Sequence, residues 1–291
     1  MKEPAIIKAH TSHVTTVLFS NDSQILVSAG MDNTVKLWSV ASWDLIRTLE
    51  GHENSVNALS LFPDGKTLAT GSTDTTVRIW SFPAGELLRT LTGHKKTVAE
   101  VAISPDGALL ASASYDSKVI LWSIASGEGL ATLREHKKNV VAVAFSTDGK
   151  TLATGGLGDD IFLWSVPAGE LLRRLSGHKT AVGSLAFSSD GRYLASAGYE
   201  QTVKLWSTED WTLVRTIELP SRAGFLAFSP DSKTIAVGTE YKVLLWSVDD
   251  DIPLEELPVK AKGVYGLAFS PDGRWLALAA ADKRVRIWEL M

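Results

Sequence analysis

Residues 52–91 read HENSVNALSLFPDGKTLATGSTDTTVRIWSFPAGELLRTL and contain four short apolar-rich runs separated by turn signals. Proline followed by Asp-Gly, as in PDGK at residues 63–66, favours a tight turn. Alternation of polar and apolar residues, as in TVRIWSF, is typical of a half-buried strand. The stretch therefore predicts four antiparallel strands, named a to d in chain order, at residues 56–62, 67–72, 76–82 and 87–91.

The same pattern recurs along the whole chain, and each copy has a tryptophan in strand c. The steps between these tryptophans are 42 residues, except for one step of 40: Trp38, Trp80, Trp122, Trp164, Trp206, Trp246 and Trp288. A fixed period of this length indicates a repeat architecture. Because a lone four-stranded sheet exposes both faces, we expect the sheets to pack on one another in a single domain. The repeats, called blades below, are expected at roughly residues 12–50, 54–92, 96–134, 138–176, 180–218, 221–259, and 262–291 together with 4–9.

The composition excludes several classes of protein. The 291 residues include 29 basic and 33 acidic side chains and no cysteine. The near balance of charge argues against a nucleic-acid binder or a polybasic membrane protein, and the lack of cysteine excludes disulfides and thiolate metal sites. No stretch approaches the roughly 18 consecutive apolar residues of a spanning helix, and the N-terminus lacks a secretory signal pattern. We therefore expect a cytoplasmic monomer without a cofactor.

These repeats resemble those of the WD-repeat β-propellers. The resemblance rests on a Gly-His before strand a, an FSPDG-like turn after it, small residues in strand b, an Asp before strand c and the tryptophan within it. Serine follows that tryptophan six times and Glu289 once, where the family name gives aspartate. The resemblance implies an all-β, seven-bladed β-propeller with four antiparallel strands in each blade.

The resemblance also implies a buried hydrogen-bonded set in each blade, in which the indole, a strand-b hydroxyl, the histidine and the b–c turn aspartate meet in series. A buried indole N–H without a partner costs about 1–3 kcal/mol. Gly158 and Glu200 replace the aspartate in blades four and five, and Val237 and Leu278 replace the hydroxyl in blades six and seven. The implied sets are His10, Ser28, Asp32 and Trp38; His52, Thr70, Asp74 and Trp80; His94, Ser112, Asp116 and Trp122; His136, Thr154 and Trp164; and His178, Ser196 and Trp206.

The two ends of the chain predict how the ring closes. The last repeat stops shortly after its strand-c tryptophan and has no strand d, whereas residues 4–9 precede the first repeat. Aligned on the histidines, Ile7 matches Leu49 and Leu91 of other d strands. We therefore expect the N-terminal strand to complete the last blade, which removes the free sheet edge at the seam.

Two classes of function remain open from the sequence. Serine or threonine, histidine and aspartate together superficially match a hydrolase triad, but the trio is repeated and each copy is tied to a tryptophan, so we expect no catalytic residues. His13 alone lies outside the repeat position, and no further metal ligands accompany it. The favoured hypothesis is a non-catalytic protein-interaction scaffold. The alternative is an enzyme or small-ligand binder that uses the central channel.

The differences between repeats point to one binding face. In propellers of this family the d–a and b–c loops share a face, which is the one most used for binding. In blades three to six these loops are basic and carry tyrosines, and larger residues interrupt the small residues that start strand a. We expect a protein or peptide partner here, of acidic or phosphorylated character, although lysines that only solubilise an amplified repeat are the alternative. The candidate residues are Lys96, Glu100, Tyr115, Lys138, Tyr199, Arg222, Phe225 and Tyr265.

Two features at the outer rim are further candidates for contacts. Trp43 and Trp211 lie near c–d turns and are expected to pack on neighbouring d strands or to form a lateral patch. The segment DDDIPLEELP, residues 249–258, predicts a longer acidic c–d loop in blade six.

Overall fold

The computed structural model describes residues 3–250, 252–259, 261 and 263–290, and within them every regular element is a β-strand. Seven four-stranded antiparallel sheets form the seven blades of a ring. This confirms the expected all-β propeller. No helix of the described residues is long and apolar enough to cross a membrane.

The strands follow one plan in every blade. The chain begins with β1 (Ala5–Lys8). Blade one contains β2 (Val14–Phe19), β3 (Ile25–Gly30), β4 (Val35–Ser39) and β5 (Leu45–Leu49). Blade two contains β6 (Val56–Leu61), β7 (Thr67–Ser72), β8 (Val77–Ser81) and β9 (Leu87–Leu91). Blade three contains β10 (Val98–Ile103), β11 (Leu109–Ser114), β12 (Val119–Ser123) and β13 (Gly129–Leu133). Blade four contains β14 (Val140–Phe145), β15 (Thr151–Gly156), β16 (Asp160–Ser165) and β17 (Leu171–Ser176).

The remaining blades repeat the plan, and the last one takes its outer strand from the start of the chain. Blade five contains β18 (Val182–Phe187), β19 (Tyr193–Gly198), β20 (Thr202–Ser207) and β21 (Leu213–Glu218). Blade six contains β22 (Ala223–Phe228), β23 (Thr234–Thr239), β24 (Lys242–Ser247) and β25 (Pro253–Pro258). Blade seven contains β26 (Val264–Phe269), β27 (Trp275–Ala280), β28 (Arg284–Glu289) and β1.

Short turns set the strand lengths. In the a–b turn of blade two, Gly65 has a φ of 63°, a left-handed conformation that glycine adopts without steric cost. The Asp64 carboxylate accepts a hydrogen bond from the Lys66 N–H at 2.8 Å, and this side-chain bond stabilises the turn. The Asp-Gly signal in the sequence therefore marks the turn that reverses strand a into strand b.

The hydrophobic core lies between adjacent blades. Val27 and Leu37 of blade one pack in one cluster with Leu68 and Trp80 of blade two, and all four are buried. The same arrangement joins blade seven to blade one, where Trp38 packs with apolar residues of β27 and β28. Each strand-c tryptophan thus fills the gap to the preceding blade, and burial of these surfaces stabilises the ring.

The ring closes as the ends of the chain predict. β1 pairs antiparallel with β28, and Ile7 lies opposite Val285 as Leu49 lies opposite Val35 in blade one. Ile7 is buried in the cluster that joins blades seven and one. The N-terminal strand therefore supplies the strand d that the last repeat lacks.

The prediction of a longer acidic loop in blade six is wrong. The Ser247 N–H donates to the Ile252 carbonyl at 2.9 Å, which is the same closure that Ser39 and Asp44 make in blade one. Pro253–Pro258 is strand β25, paired with β24. Its prolines are tolerated because this is the outer strand of the blade, where one side of the backbone needs no partner. Asp251, within the predicted loop, lies outside the described residues.

The two tryptophans of the outer rim do not stand free in solvent. Trp43 is half-buried and meets Trp275 of blade seven edge-on, with ring centroids 5.2 Å apart. Trp211 is also half-buried and meets Phe187 edge-on at 6.3 Å. Trp43 also packs against the cluster that contains Ile7 of β1, and Trp211 against the one that contains Leu175 of β17. Because β1 and β17 are the outer strands of the preceding blades, the expected packing on neighbouring d strands is present.

Candidate functional site

Hydrogen-bonded side chains tie the d–a loop to the b–c turn in each of the first three blades. In blade three, His94 lies 3.0 Å from the Asp116 carboxylate through Nδ1 and 2.7 Å from the Ser112 hydroxyl through Nε2. The Trp122 indole N–H donates to the same hydroxyl at 2.8 Å. The corresponding distances in blades one and two lie between 2.6 and 2.9 Å. These sets fix two loops against each other on one face of the ring.

The protonation of these sets suits a structural role. Burial lowers the pKa of His10, His52 and His178, against the opposing effect of the carboxylate beside each. A neutral imidazole donates from Nδ1 to the carboxylate and accepts the hydroxyl proton at Nε2. The hydroxyls of Ser28, Thr70 and Ser112 are fully buried, and each contacts both a histidine and an indole, so the set joins the loops to the core between blades.

Blades four and five keep the histidine, hydroxyl and indole but differ at the carboxylate. In blade four His136 contacts the Thr154 hydroxyl at 2.8 Å, and no atom lies within 4 Å of the point where a side chain at Gly158 would begin. Burial lowers the pKa of His136 to about 4. In blade five Glu200 takes the place of aspartate, contacting His178 at 2.5 Å and accepting from the Thr180 hydroxyl at 2.7 Å.

Blades six and seven fasten the same region differently. In blade six, Val237 faces Leu244 across the b–c strand pair, and both are buried. In blade seven, Arg286 occupies the position of Leu244 and its guanidinium forms two hydrogen bonds to Asp282, at 2.6 and 3.1 Å. Burial raises the pKa of Asp282, but the hydrogen bonds and charge of Arg286 outweigh that effect and the net shift is downward. Blade seven therefore keeps the turn carboxylate with a new partner.

The central channel opens on the face of the fastened loops. It has a volume of about 430 Å³ and is lined by the start of strand a in the blades and by several b–c turns. Five of the eight sequence-predicted partner residues line it: Glu100, Tyr115, Tyr199, Phe225 and Tyr265. The other three, Lys96, Lys138 and Arg222, do not line the channel but lie exposed on the d–a loops. The structure thus separates an aromatic channel mouth from a basic margin.

Glu100 holds a special position in the channel wall. Strand a of each blade has a bulge at its start, which shifts the register between Val98 and Glu100 in blade three. The residue after the bulge is small or apolar in the six other blades: Thr16, Ala58, Ala142, Ser184, Phe225 and Gly266. Glu100 is half-buried, and burial raises its pKa to about 8 against a weak contact with the Val101 N–H at 3.3 Å. Of the described channel residues, Glu100 alone carries a carboxyl group.

The aromatic residues of the mouth have neighbours of their own. Burial raises the pKa of Tyr199, with a further contribution from Tyr115 and an opposing one from Arg222. Tyr265 stacks on His13 with ring centroids 5.9 Å apart. His13, the one histidine outside the repeat position, therefore lies at this mouth, and its Nδ1 is buried without a hydrogen-bond partner. The described residues contain no group of three or more side chains suited to hold a metal ion.

Two residues of this face escaped the sequence reasoning. Met31 and Leu157 occupy the same turn position as Tyr115 and Tyr199, immediately before the aspartate position of the set. The exposed fractions of the four residues are nearly equal, at 41%, 39%, 39% and 38%. Aligning the repeats on that aspartate finds them, whereas a search for unusual aromatic residues does not. Together Met31, Tyr115, Leu157 and Tyr199 form the apolar turn set, an exposed group around the channel mouth.

Comparison with known families finds one repeat along most of the chain. Six segments match the WD domain, G-beta repeat (WD40): residues 1–39, 43–81, 85–123, 127–165, 169–207 and 253–289. Residues 208–252, which include the a, b and c strands of blade six, have no match. The unmatched part thus includes strands a to c of blade six, where Val237 replaces the hydroxyl of the set.

Curated relatives match over short stretches. A WD40 repeat-containing protein of Dictyostelium discoideum is 33% identical over 69 residues, which are 22% of this chain and 10% of that protein. Periodic tryptophan protein 2 homolog of Schizosaccharomyces pombe is 34% identical over 80 residues, 26% of this chain and 9% of that protein. F-box/WD repeat-containing protein 7 of Drosophila melanogaster is 40% identical over 52 residues, 18% of this chain and 4% of that protein. The matching part of the chain spans a tenth or less of each relative.

Proposed function

The chain belongs to the WD40 repeat family, and we propose that it is a non-catalytic scaffold that binds a protein or peptide partner on the face of its d–a and b–c loops. Family membership and the WD-repeat relatives indicate a protein-interaction scaffold in general. We propose two further details: which face of the ring binds the partner, and that the partner is acidic or phosphorylated.

The observation that carries the choice of face is the apolar turn set. Four large apolar or aromatic side chains stand exposed at equivalent turns, and three of them, Met31, Tyr115 and Tyr199, line one opening. The turns of these three are fastened by the histidine–carboxylate contact beneath them. Exposed apolar groups of this kind mark interaction sites more often than chance, and aromatic residues are common anchors of binding. A rigid scaffold that presents such side chains loses little entropy when a partner binds.

The basic margin supports an acidic or phosphorylated partner. Lys96, Lys138 and Arg222 are exposed, and none of them is ion-paired with a described carboxylate. Unpaired cations beside an apolar surface attract a partner of opposite charge and raise its rate of association. Phosphate groups bind such cations through short charge-assisted hydrogen bonds.

The alternative, an enzyme or small-ligand binder in the channel, has less support. General acid–base chemistry needs a correctly placed pair of groups, and Glu100 is accompanied in the channel wall by tyrosines and small residues. The repeated histidines are occupied by their hydroxyl partners. We also propose that the chain acts in the cytoplasm as a monomer, a state that light scattering after size-exclusion chromatography tests directly.

A library of phosphorylated and unphosphorylated peptides tests the proposal. We expect Lys96→Glu/Lys138→Glu to weaken the binding of acidic and phosphorylated peptides about tenfold or more, because two attractive charges become repulsive. The control is Lys66→Glu/Lys150→Glu, which makes the same change of charge at exposed a–b turns. Equal peptide profiles for the two variants would contradict the proposed face.

A further inference from the structure

We propose that the central channel receives a basic side chain of the bound partner, with the Glu100 carboxylate as its counter-ion and the tyrosines of the mouth as its walls. This inference rests on the proposed function, because it names the chemistry of the residue that anchors the partner on the same face. It predicts that the partner inserts a positively charged side chain into the channel, while its negatively charged groups contact the basic margin.

Glu100 is isolated in the channel wall. It is the one described channel residue with a carboxyl group, at a bulge position that other blades fill with small or apolar residues. No basic side chain among the described residues pairs with it, and its hydrogen bond is a long contact with the next N–H. A half-buried carboxyl group without a partner is costly in the folded protein and is relieved when a cation binds.

The channel walls around Glu100 are aromatic. Tyr115, Tyr199, Phe225 and Tyr265 line the channel together with Glu100. Aromatic faces attract cations, and arginine is the more frequent partner because its guanidinium is planar and weakly hydrated. A volume of about 430 Å³ lies within the range of small-ligand pockets and accommodates one long side chain. The chemistry therefore favours a guanidinium group.

The channel and the loops around it carry opposite charges. The d–a loops present Lys96, Lys138 and Arg222 around an opening that contains a carboxyl group. A peptide with a basic centre and acidic or phosphorylated flanks matches both charges, whereas a uniformly basic peptide is repelled by the margin. The charges thus determine which residue of the partner lies over the channel and which residues lie over the basic margin.

The protonation of Glu100 should make partner binding depend on pH, which would not be expected if Glu100 only stabilised the fold. With a pKa of about 8, the free carboxyl group is largely protonated at pH 7. A cation favours the ionised form, so binding must release a proton, and affinity rises as the pH increases toward and beyond 8. The other titratable groups at the mouth are Tyr115, Tyr199, Tyr265 and His13, with Arg222 near Tyr199.

The test uses three nine-residue peptides with glutamate and phosphoserine flanks and a central arginine, citrulline or lysine. Citrulline is a neutral isostere of arginine, so the difference between these two peptides isolates the charge. We expect the arginine peptide to bind the protein at least tenfold more tightly than the citrulline peptide at pH 8.5, with a smaller ratio at pH 6.5. Glu100→Gln should abolish this difference, because glutamine keeps the shape but not the charge.

The control variant is Glu53→Gln, which removes an exposed acid from a d–a loop and should preserve the difference. An arginine-to-citrulline ratio that is the same in Glu100→Gln, or no preference for arginine over citrulline, would overturn the inference. Tighter binding of the lysine peptide would overturn the assignment to a guanidinium. If citrulline peptides still bind and Lys96→Glu/Lys138→Glu weakens them, the proposed function survives without this inference. If that lysine variant changes nothing, the proposed function fails as well.

Discussion

Blades three and four are neighbours with the same strand plan, yet only in blade three does the histidine contact a carboxylate directly. In blade four the buried Asp160 carboxylate bonds to Ser176 and Arg174 and acts on His136 through its charge. His94 has both Asp116 and Ser112 as partners, whereas His136 has Thr154 and faces a gap at Gly158. The b–c turns share one backbone hydrogen bond: the Tyr115 N–H donates to the Thr97 carbonyl at 3.0 Å, and the Leu157 N–H donates to the Asn139 carbonyl at 2.9 Å. The rest of the turn differs, because the Ser117 N–H donates to the Ser114 carbonyl at 3.1 Å and Ser117 has a φ of 67°, whereas the described residues 156–160 have neither feature.

One backbone hydrogen bond therefore places the residue before the aspartate position in both blades, whereas the tight turn after it is present only where the aspartate is. Blade six extends the lesson, because Val237 replaces the hydroxyl and packs opposite Leu244, and the fold persists. Blade seven shows a third solution, the pair of Arg286 and Asp282. The blades therefore have the same fold but are stabilised by different side-chain contacts. Substitutions that replace one kind of contact with another test how much each contributes to the free energy of unfolding.

Breaking the pair in blade seven should have the largest effect. Asp282→Ala leaves the buried Arg286 guanidinium without its counter-ion, and we expect the free energy of unfolding to fall by about 3–5 kcal/mol. Urea denaturation monitored by tryptophan fluorescence measures the change. The double variant Asp282→Ala/Arg286→Leu converts this site to the pattern of blade six and should recover most of the loss. A double variant no more stable than Asp282→Ala would contradict this account.

Acid should destabilise the protein through its buried histidines, and blade four should contribute most visibly. The pKa of His136 is about 4 in the folded protein and about 6.5 when unfolded, so its stabilising effect is present above pH 6.5 and is lost as the pH falls toward 4. The loss amounts to about 3 kcal/mol at most. Unfolding measured between pH 7 and 4 tests this, and His136→Gln should flatten the curve. If the free energy of unfolding of His136→Gln depends on pH as strongly as that of the native protein, other groups cause the acid sensitivity.

Removing one shared hydroxyl should have an intermediate effect. In the native protein the Thr70 hydroxyl lies 2.9 Å from the Trp80 indole nitrogen and 2.6 Å from His52 Nε2. Thr70→Val keeps the size of the side chain but removes this hydroxyl, so both groups lose their partner. We expect a loss of about 2 kcal/mol in denaturant titrations. Thr90→Val, at an exposed position of β9, is the control and should change stability little. Equal losses in both variants would show that the hydroxyl itself is unimportant.

Restoring the missing carboxylate in blade four should have the smallest effect, and in the opposite direction. Gly158→Asp adds a Cβ that has no atom within 4 Å apart from its chain neighbours, and its carboxylate should give His136 the direct contact that Asp116 gives His94. The charge of Asp160, which already acts on His136, keeps the expected gain small. We expect a gain of about 1 kcal/mol, seen as a higher midpoint of thermal unfolding. Gly158→Ala separates the loss of glycine flexibility from the effect of the carboxylate. No advantage of aspartate over alanine would contradict the equivalence of the two blades.

Much of the fold could be predicted from the sequence because a period of 42 residues and Asp-Gly turns are local signals. The closing strand was also predictable, since Ile7 keeps the register of other d strands. β25 was not, because prolines and acidic residues are typical of loops, and only its place at the outer edge makes them compatible with a strand.

The site was partly predictable, for a similar reason. Glu100, Tyr115 and Tyr199 stood out as residue types, whereas Met31 and Leu157 are ordinary apolar residues whose meaning depends on their position in the repeat. The partner of Asp282 was missed because it comes from strand c rather than from the d–a loop. Such exchanges of partner depend on three-dimensional proximity, which the repeat alignment does not contain.

Hydrogen exchange of the protein with and without a bound acidic peptide tests the central claim most directly. We predict that protection increases at the b–c turns, at residues 30–34, 114–118, 156–160 and 198–202, and remains unchanged at a–b turns such as residues 63–66 and 105–108. Protection confined to the a–b turns, or to the outer d strands, would contradict the assignment of the binding face.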